Sequence, residues 1–157
     1  TQAGVSRVYP LSTQRCDVKL TESVMQKKKK RWSSVLLSAS LQSQSEQMTQ
    51  LGDPLGLETL STVSGHEQAL KVVFWEEASS SHTLASLIER EAPFLKEQAS
   101  FSVHFMVGPE GGLTADEVAF CRSQGYQVAS LGASVLRVES AAFYGLAQFK
   151  ALFDVFL

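Results

Sequence analysis

The run Phe101-Ser102-Val103-His104-Phe105-Met106-Val107-Gly108-Pro109-Glu110-Gly111-Gly112-Leu113-Thr114, with Glu117 three residues on, spells a strand, a bare turn and the opening of a helix. β-Branched and aromatic residues over 101–107 favour the strand. Thr114 and Glu117 have the Thr-x-x-Glu spacing of a capping box, in which hydroxyl and carboxylate each satisfy a backbone amide that the first helical turn leaves over. Gly125 marks the end of that helix. Between strand and helix, Gly108, Gly111 and Gly112 remove side chains, so a flat ligand can approach backbone amides and carbonyls, and Pro109 stiffens the turn. This is no ordinary phosphate cradle, because no Gly-Lys-Ser/Thr follows and the Gly-x-Gly-x-x-Gly spacing is absent.

On either side the same alternation continues. Leu70 to Trp75 is β-branched and aromatic and reads as a buried strand, bounded by Glu76-Glu77 and a Ser-rich loop at Ser79 to Ser81. Thr83 to Ala92 reads as a helix that Pro93 ends. Tyr126 to Ser130 is a strand, Leu131 to Val138 a loop, and Glu139 to about Phe156 the last helix. In the first third, Val5 to Pro10 is a short strand stopped by proline, and Gly4 suits the end of an earlier helix. A long helix from Ser23 to about Ser43 carries Val24, Trp32, Val35, Leu36 and Ala39 on one stripe. Met48 to Leu51 is a brief strand, Gly52-Asp53-Pro54 a turn, and Leu57 to Val63 a short helix. Such alternation predicts one α/β domain with a mostly parallel sheet flanked by helices. In these sheets ligands bind where loops leave the carboxyl ends of strands. Three loops qualify: Phe74 to Glu77, Gly108 to Gly112, and Leu131 to Arg137.

Composition narrows the function classes. The chain has 157 residues, 44% of them hydrophobic, which is enough for a buried core. Its formal net charge of -2 gives no overall basic field, so contact with nucleic acid has to be local. Lys27-Lys28-Lys29-Lys30-Arg31 is the one basic run; it is either a solvated helix face or a contact for an RNA backbone. The most apolar stretch, Ala141 to Leu157, is interrupted by Gln148, Lys150 and Asp154, so no membrane segment is expected. Cys16 and Cys121 lack Cys-x-x-Cys spacing and read as reduced thiols, and the chain opens without a leader pattern, which together predict a cytoplasmic protein. His66, His82 and His104 are scattered, so no metal site is expected. Tyr126 and Tyr144 read as packing residues; Phe143, Phe149, Phe153 and Phe156 read as core, with a dimer seam as the alternative.

Taken with a second segment, the glycine turn becomes specific. Gly108 to Thr114 and Glu117, followed by Leu131-Gly132 and Val135-Leu136-Arg137-Val138-Glu139-Ser140-Ala141, resembles the paired signature of the RsmE family. These SPOUT-superfamily methyltransferases modify the ring nitrogen N-3 of a uridine in 16S small-subunit ribosomal RNA. Ala3 to Ser6 with Pro10 and Arg15-Cys16, and Arg31-Trp32 through Ala39 and Gln42, extend the resemblance over nearly the whole chain. It implies S-adenosyl-L-methionine as cofactor, ribosomal RNA as partner, a homodimer, and a C-terminal trefoil knot. It also implies an N-terminal RNA-binding β-barrel domain and a first strand and helix, none of which precedes Thr1, so residues 1–157 are expected to be a SPOUT domain without them. The cofactor-binding residues it implies are Phe74, Trp75, Glu76, Gly108, Pro109, Glu110, Gly111, Gly112, Ser130, Leu131, Gly132, Val135, Leu136 and Arg137.

Methyl transfer to a ring nitrogen needs alignment in a dry site and no metal. Uracil must shed its N-3 proton to become nucleophilic, and a cation beside the base favours the anion, which makes Arg137 the expected catalytic residue. Glu139 is the second candidate, although a carboxylate there also complements a helix dipole. Glu110 is expected to order the loop by accepting backbone amides. The chain departs from the family at Ser45, Glu46 and Gln47, where arginines are usual, and at Val138 and Ser140, where threonine is usual. These departures keep an alternative open, a non-catalytic SPOUT-fold module that binds cofactor or RNA.

Overall fold

The computed structural model describes residues 3–17, 22–44, 47–63, 65 and 68–157; the expectations at Thr1, Ser45, Glu46 and His66 lie outside them. Two compact units are distinguished, one of Thr1–Ser12 with Asp17–Gly56, the other of Thr13–Cys16 with Leu57–Leu157.

In the first unit, β1 (Arg7–Val8) pairs in parallel with β3 (Gln50–Leu51), and β2 (Leu11–Ser12) pairs in parallel with β4 (Leu55–Gly56). The first strand ends before Pro10, as expected, and a second strand, paired with a different partner, begins at Leu11, where the Pro10 carbonyl accepts from the Leu55 amide at 2.9 Å. Thr49, almost wholly buried, donates its hydroxyl to the Val5 carbonyl at 2.6 Å. Helix α1 (Glu22–Gln42) packs against β3. Its buried stripe is Met25 and Ser40 with the half-buried Val24, Trp32, Leu36 and Ala39. Val35, expected on that stripe, is 58% exposed, since one position before Leu36 turns it about 100° away. Of the basic run, Lys29 pairs with Asp53 at 2.7 Å, both side chains well exposed, and the Lys28 ammonium lies 5.7 Å from the Trp32 ring centre.

The second unit is a three-stranded parallel sheet in the order β6 (Ser102–Val107), β5 (Ala69–Phe74), β7 (Gln127–Ala129). Leu70, Val72 and Phe74 alternate onto one face of β5 and pack with Leu84, Leu87, Ile88 and Leu95 of α2 (Leu84–Lys96) and with Phe149 of α4 (Val138–Phe156). Lys71 points the other way and donates to the Gln124 carbonyl at 3.1 Å, the C-cap of α3 (Ala115–Ser123). Helices therefore flank both faces of the sheet. Phe74, Phe105 and Phe149 form a triangle with ring centres 5.6 to 6.0 Å apart, and Phe153 extends it to Phe101. The short helix expected over Leu57 to Val63 forms as a 3₁₀ helix, Leu57–Thr62.

Two local rules read differently in three dimensions. Pro93 does not end α2, which runs on to Lys96. The carbonyl that proline leaves without a donor belongs to Glu89, an exposed residue where water can serve it, while the continued turn buries Leu95 in the core. The Phe-rich last helix also divides. Phe149 is buried and Phe153 and Phe156 pack against the core, whereas Phe143, on the opposite face, is 71% exposed.

The capping box forms as expected. The Thr114 amide donates to Glu117 Oε2 at 2.9 Å and the Glu117 amide to Thr114 Oγ1 at 3.2 Å. Thr114→Ala is expected to lower stability by about 1 kcal/mol in urea unfolding.

Cys121 of α3 and Tyr126, just past its end, are both buried. Burial, aided by the charge of Glu117, pushes the Cys121 thiol from 9.0 up to about 11; burial and then Cys121 push Tyr126 from 10.0 up to about 12. Both folded-state values are raised, so the stability that these neutral groups contribute is fully present below about pH 9 and is lost as pH rises through 11 and 12. The urea midpoint should stay level up to pH 9 and then fall, and Cys121→Ala should flatten the part of the fall between pH 9 and 11. An unchanged decline in that variant would refute the assignment.

Candidate functional site

The three loops singled out in the sequence meet at the carboxyl ends of β5, β6 and β7 around one cavity of about 340 Å³. Every cofactor-binding residue expected from the sequence lines it except Gly111. Val107, Ala133, Ser134, Val138 and Ala141 also contribute. Ala133 and Ser134 were legible as members of a loop already singled out. Val138 was noted only as a departure from the family's threonine, so one of the departures falls in the cavity wall.

Local chemistry sets the shape of each wall. The first wall continues β5. Phe74 belongs to the aromatic core, and Trp75 ties two loops together, its backbone amide donating to Ala129 and its indole N–H to the Leu113 carbonyl, both at 3.2 Å. The glycine loop closes through a tight turn in which the Gly112 amide donates to the Pro109 carbonyl at 2.8 Å. Gly112 has φ +71, and a β-carbon on it would fall onto the Glu76 carboxylate, so no other residue fits there without moving Glu76. The third wall begins at buried Ser130, whose amide donates to the His82 carbonyl at 2.8 Å. Its hydroxyl donates to the Gly132 carbonyl and accepts from the Gly132 amide, each at 3.2 Å, which sets the loop's direction as it leaves the sheet.

Charged groups are few. Glu76, Glu110 and Arg137 are exposed at the cavity wall, and Arg137 is also the N-cap residue of α4, without a side-chain capping bond. Glu139 lies in the first turn of α4, exposed and outside the lining. Glu110 was expected to order the glycine loop. That work falls to other residues: the Arg15 guanidinium donates to the Gly111 carbonyl at 3.0 Å, and the Gln14 amide donates to Glu117 Oε1 at 2.6 Å. Nothing in the spacing of Gln14 and Arg15 pointed to this, because they lie about a hundred residues from the loop, with separations of 103 and 96. Among the described residues, no group of three His, Cys, Asp or Glu side chains is placed to hold a metal ion, and no helix is long and apolar enough to cross a membrane.

A cavity walled by bare backbone and aromatic rings at strand ends suits a flat ligand with few charges. Known proteins share this fold. Over residues 1–150 the chain matches the pattern that defines the RNA methyltransferase domain. It is 30% identical over 146 residues to the ribosomal RNA small subunit methyltransferase E of Bacillus subtilis, covering 93% of this chain and 56% of that protein. With the protein of the same name from Synechocystis it shares 28% identity over 155 residues, 98% of this chain and 47% of the other. The chain thus spans about half the length of the curated relatives it matches. Among solved structures, a methyltransferase of Legionella pneumophila in complex with the bound cofactor SAM has TM-score 0.79 at 29% identity, over 96% of this chain and 57% of that one. The ribosomal RNA small subunit methyltransferase E of Neisseria gonorrhoeae bound to S-adenosyl methionine has TM-score 0.78 at 26% identity, over 96% and 56%. The resemblance carried by the two signature segments holds along the whole fold, and the chain belongs to the RNA methyltransferase domain family.

Proposed function

We propose that this chain is the catalytic domain of an S-adenosyl-L-methionine-dependent methyltransferase that modifies N-3 of a uridine in 16S small-subunit ribosomal RNA, acting in the cytoplasm as a homodimer. The observation that carries this reading is the single cavity that both signature segments line, in a chain of the RNA methyltransferase domain family. The residues present suit the cofactor. The glycine loop offers bare backbone to adenine and ribose, Phe74, Leu131 and Leu136 offer apolar surface, and Glu76 and Glu110 bring negative charge to a site for a sulfonium cation.

When bound, the cofactor supplies an electrophilic methyl group on positively charged sulfur. The backbone of Gly108 to Gly112 and of Leu131 to Leu136 holds and orients it, and Phe74 and Trp75 keep water from one side, so the chain's main contribution is alignment. Arg137 faces the base and stabilises the uracil anion. Its position supports the role: a cation at the N-terminus of α4 works against the helix dipole, a cost that an anionic partner offsets. Glu139 complements that dipole and helps hold the start of α4, which carries Arg137.

Two further features belong to this reading. The exposed Phe143, Tyr144 and Val155 of α4, with Val135 at 85% exposure on the cavity loop, supply the apolar face of the homodimer. The C-terminal trefoil knot enters this reading as what the family resemblance implies.

Calorimetric titration with S-adenosylmethionine is the first test, and no measurable binding would sink the proposal. Arg137→Ala should bind the cofactor within a few-fold of the parent while losing about 100-fold or more in methylation of small-subunit RNA, read by mass mapping of the modified uridine. Binding with no methylation by the parent chain would favour the non-catalytic module. Phe143→Asp should shift the sedimentation coefficient from that of a dimer to that of a monomer; an unchanged value would place the dimer face elsewhere.

A further inference from the structure

The two adjacent glycines of the loop face opposite ways, and only one of them faces the cavity. Gly112 lies against Glu76 on the cavity side. Gly111 turns its back to the cavity, where a β-carbon would stand 3.1 Å from the Arg15 β-carbon and 3.4 Å from the Arg15 carbonyl oxygen. A side chain at 111 would therefore press on segment 13–16, which would have to give by a few tenths of an ångström, and not on the cavity. That segment docks through three contacts: the stem of Arg15 on Gly111, the Arg15 guanidinium on the Gly111 carbonyl at 3.0 Å, and the Gln14 amide on Glu117 at 2.6 Å.

We propose that Arg15 is a positioning residue for the cofactor loop, holding the Gly111 peptide from behind so that Gly108, Pro109 and Glu110 keep their place in the cavity wall. The physical reason lies in the peptide plane. Gly111 has no side chain to resist rotation about its backbone, and the Pro109–Gly112 turn is closed by one hydrogen bond. A rotation at Gly111 would swing its carbonyl toward the cavity and break that turn. A charge-assisted bond to the carbonyl oxygen restrains the rotation, and Glu76 blocks the opposite movement at Gly112. Glu117 links this brace to the helix, since its two oxygens serve the capping box and the Gln14 amide at once.

The inference rests on the cofactor reading above, and the test separates the two. In the parent protein and in Arg15→Ala and Arg15→Lys, the affinity for S-adenosylmethionine is measured by calorimetry, and amide hydrogen exchange across 108–113 is followed without cofactor. Loss of one charge-assisted bond that orders a ligand loop is expected to weaken cofactor binding by about tenfold in Arg15→Ala, with most of it regained in Arg15→Lys. Exchange at 108–113 should accelerate in Arg15→Ala while exchange in the β5–β6–β7 sheet stays at the parent rate. Parent-like affinity in Arg15→Ala would overturn the proposal, as would exchange accelerated equally everywhere, which marks a general loss of stability. If the parent itself does not bind S-adenosylmethionine, the cofactor reading fails, and the exchange experiment alone decides whether Arg15 holds the loop.

Discussion

Phe74 is the side chain on which both the core and the cavity depend. It ends the central strand, touches Phe105 and Phe149 in the aromatic cluster, and lines the cavity with its remaining surface. Its ring occupies the space where α4 would otherwise carry a side chain: a β-carbon on Gly145 would lie 2.6 Å from it. A glycine inside a helix costs about 1 kcal/mol relative to alanine. Here that cost is offset by bringing the last helix onto the ring, and with the helix come Arg137 and Val138 at the cavity mouth.

The glycine loop illustrates a division that no single residue explains. Its cavity face is shaped by Gly112 and Glu76, its reverse face by Gly111 and Arg15, and its downstream end by the Thr114–Glu117 capping box. Each contact fixes one side of the same short stretch of backbone, so the ligand-facing carbonyls and amides are set before any ligand arrives. Such preorganisation limits the ordering cost that a flexible loop would impose on binding.

Charge is arranged with similar economy. The chain's net charge of -2 offers RNA no general attraction, and two of the five cations of the basic run are engaged locally, Lys29 by Asp53 and Lys28 over Trp32. Arg137 stands at a helix terminus where the dipole disfavours it. Positive charge is thus placed at particular points instead of forming a broad electrostatic field.

Much of this was legible in the sequence. Strand and helix periods, the Thr-x-x-Glu box and the two signature segments located the parallel sheet, the helix starts and nearly all of the cavity wall, because these depend on residues close together in the chain. What local patterns could not decide were features set by distant neighbours. Pro93 read as a stop, yet burial of Leu95 carries α2 onward. Phe143 and Phe149 read alike, and only the side on which the sheet lies separates them. Gly111 read as part of the ligand loop, and the atoms nearest to a side chain there belong to Arg15, 96 residues earlier. Sequence by itself determined which elements form and where a ligand can approach bare backbone, since propensity, capping and period act within a few residues. Tertiary structure alone decided which face of each element is covered and what braces the loop, because packing joins residues that no local spacing connects.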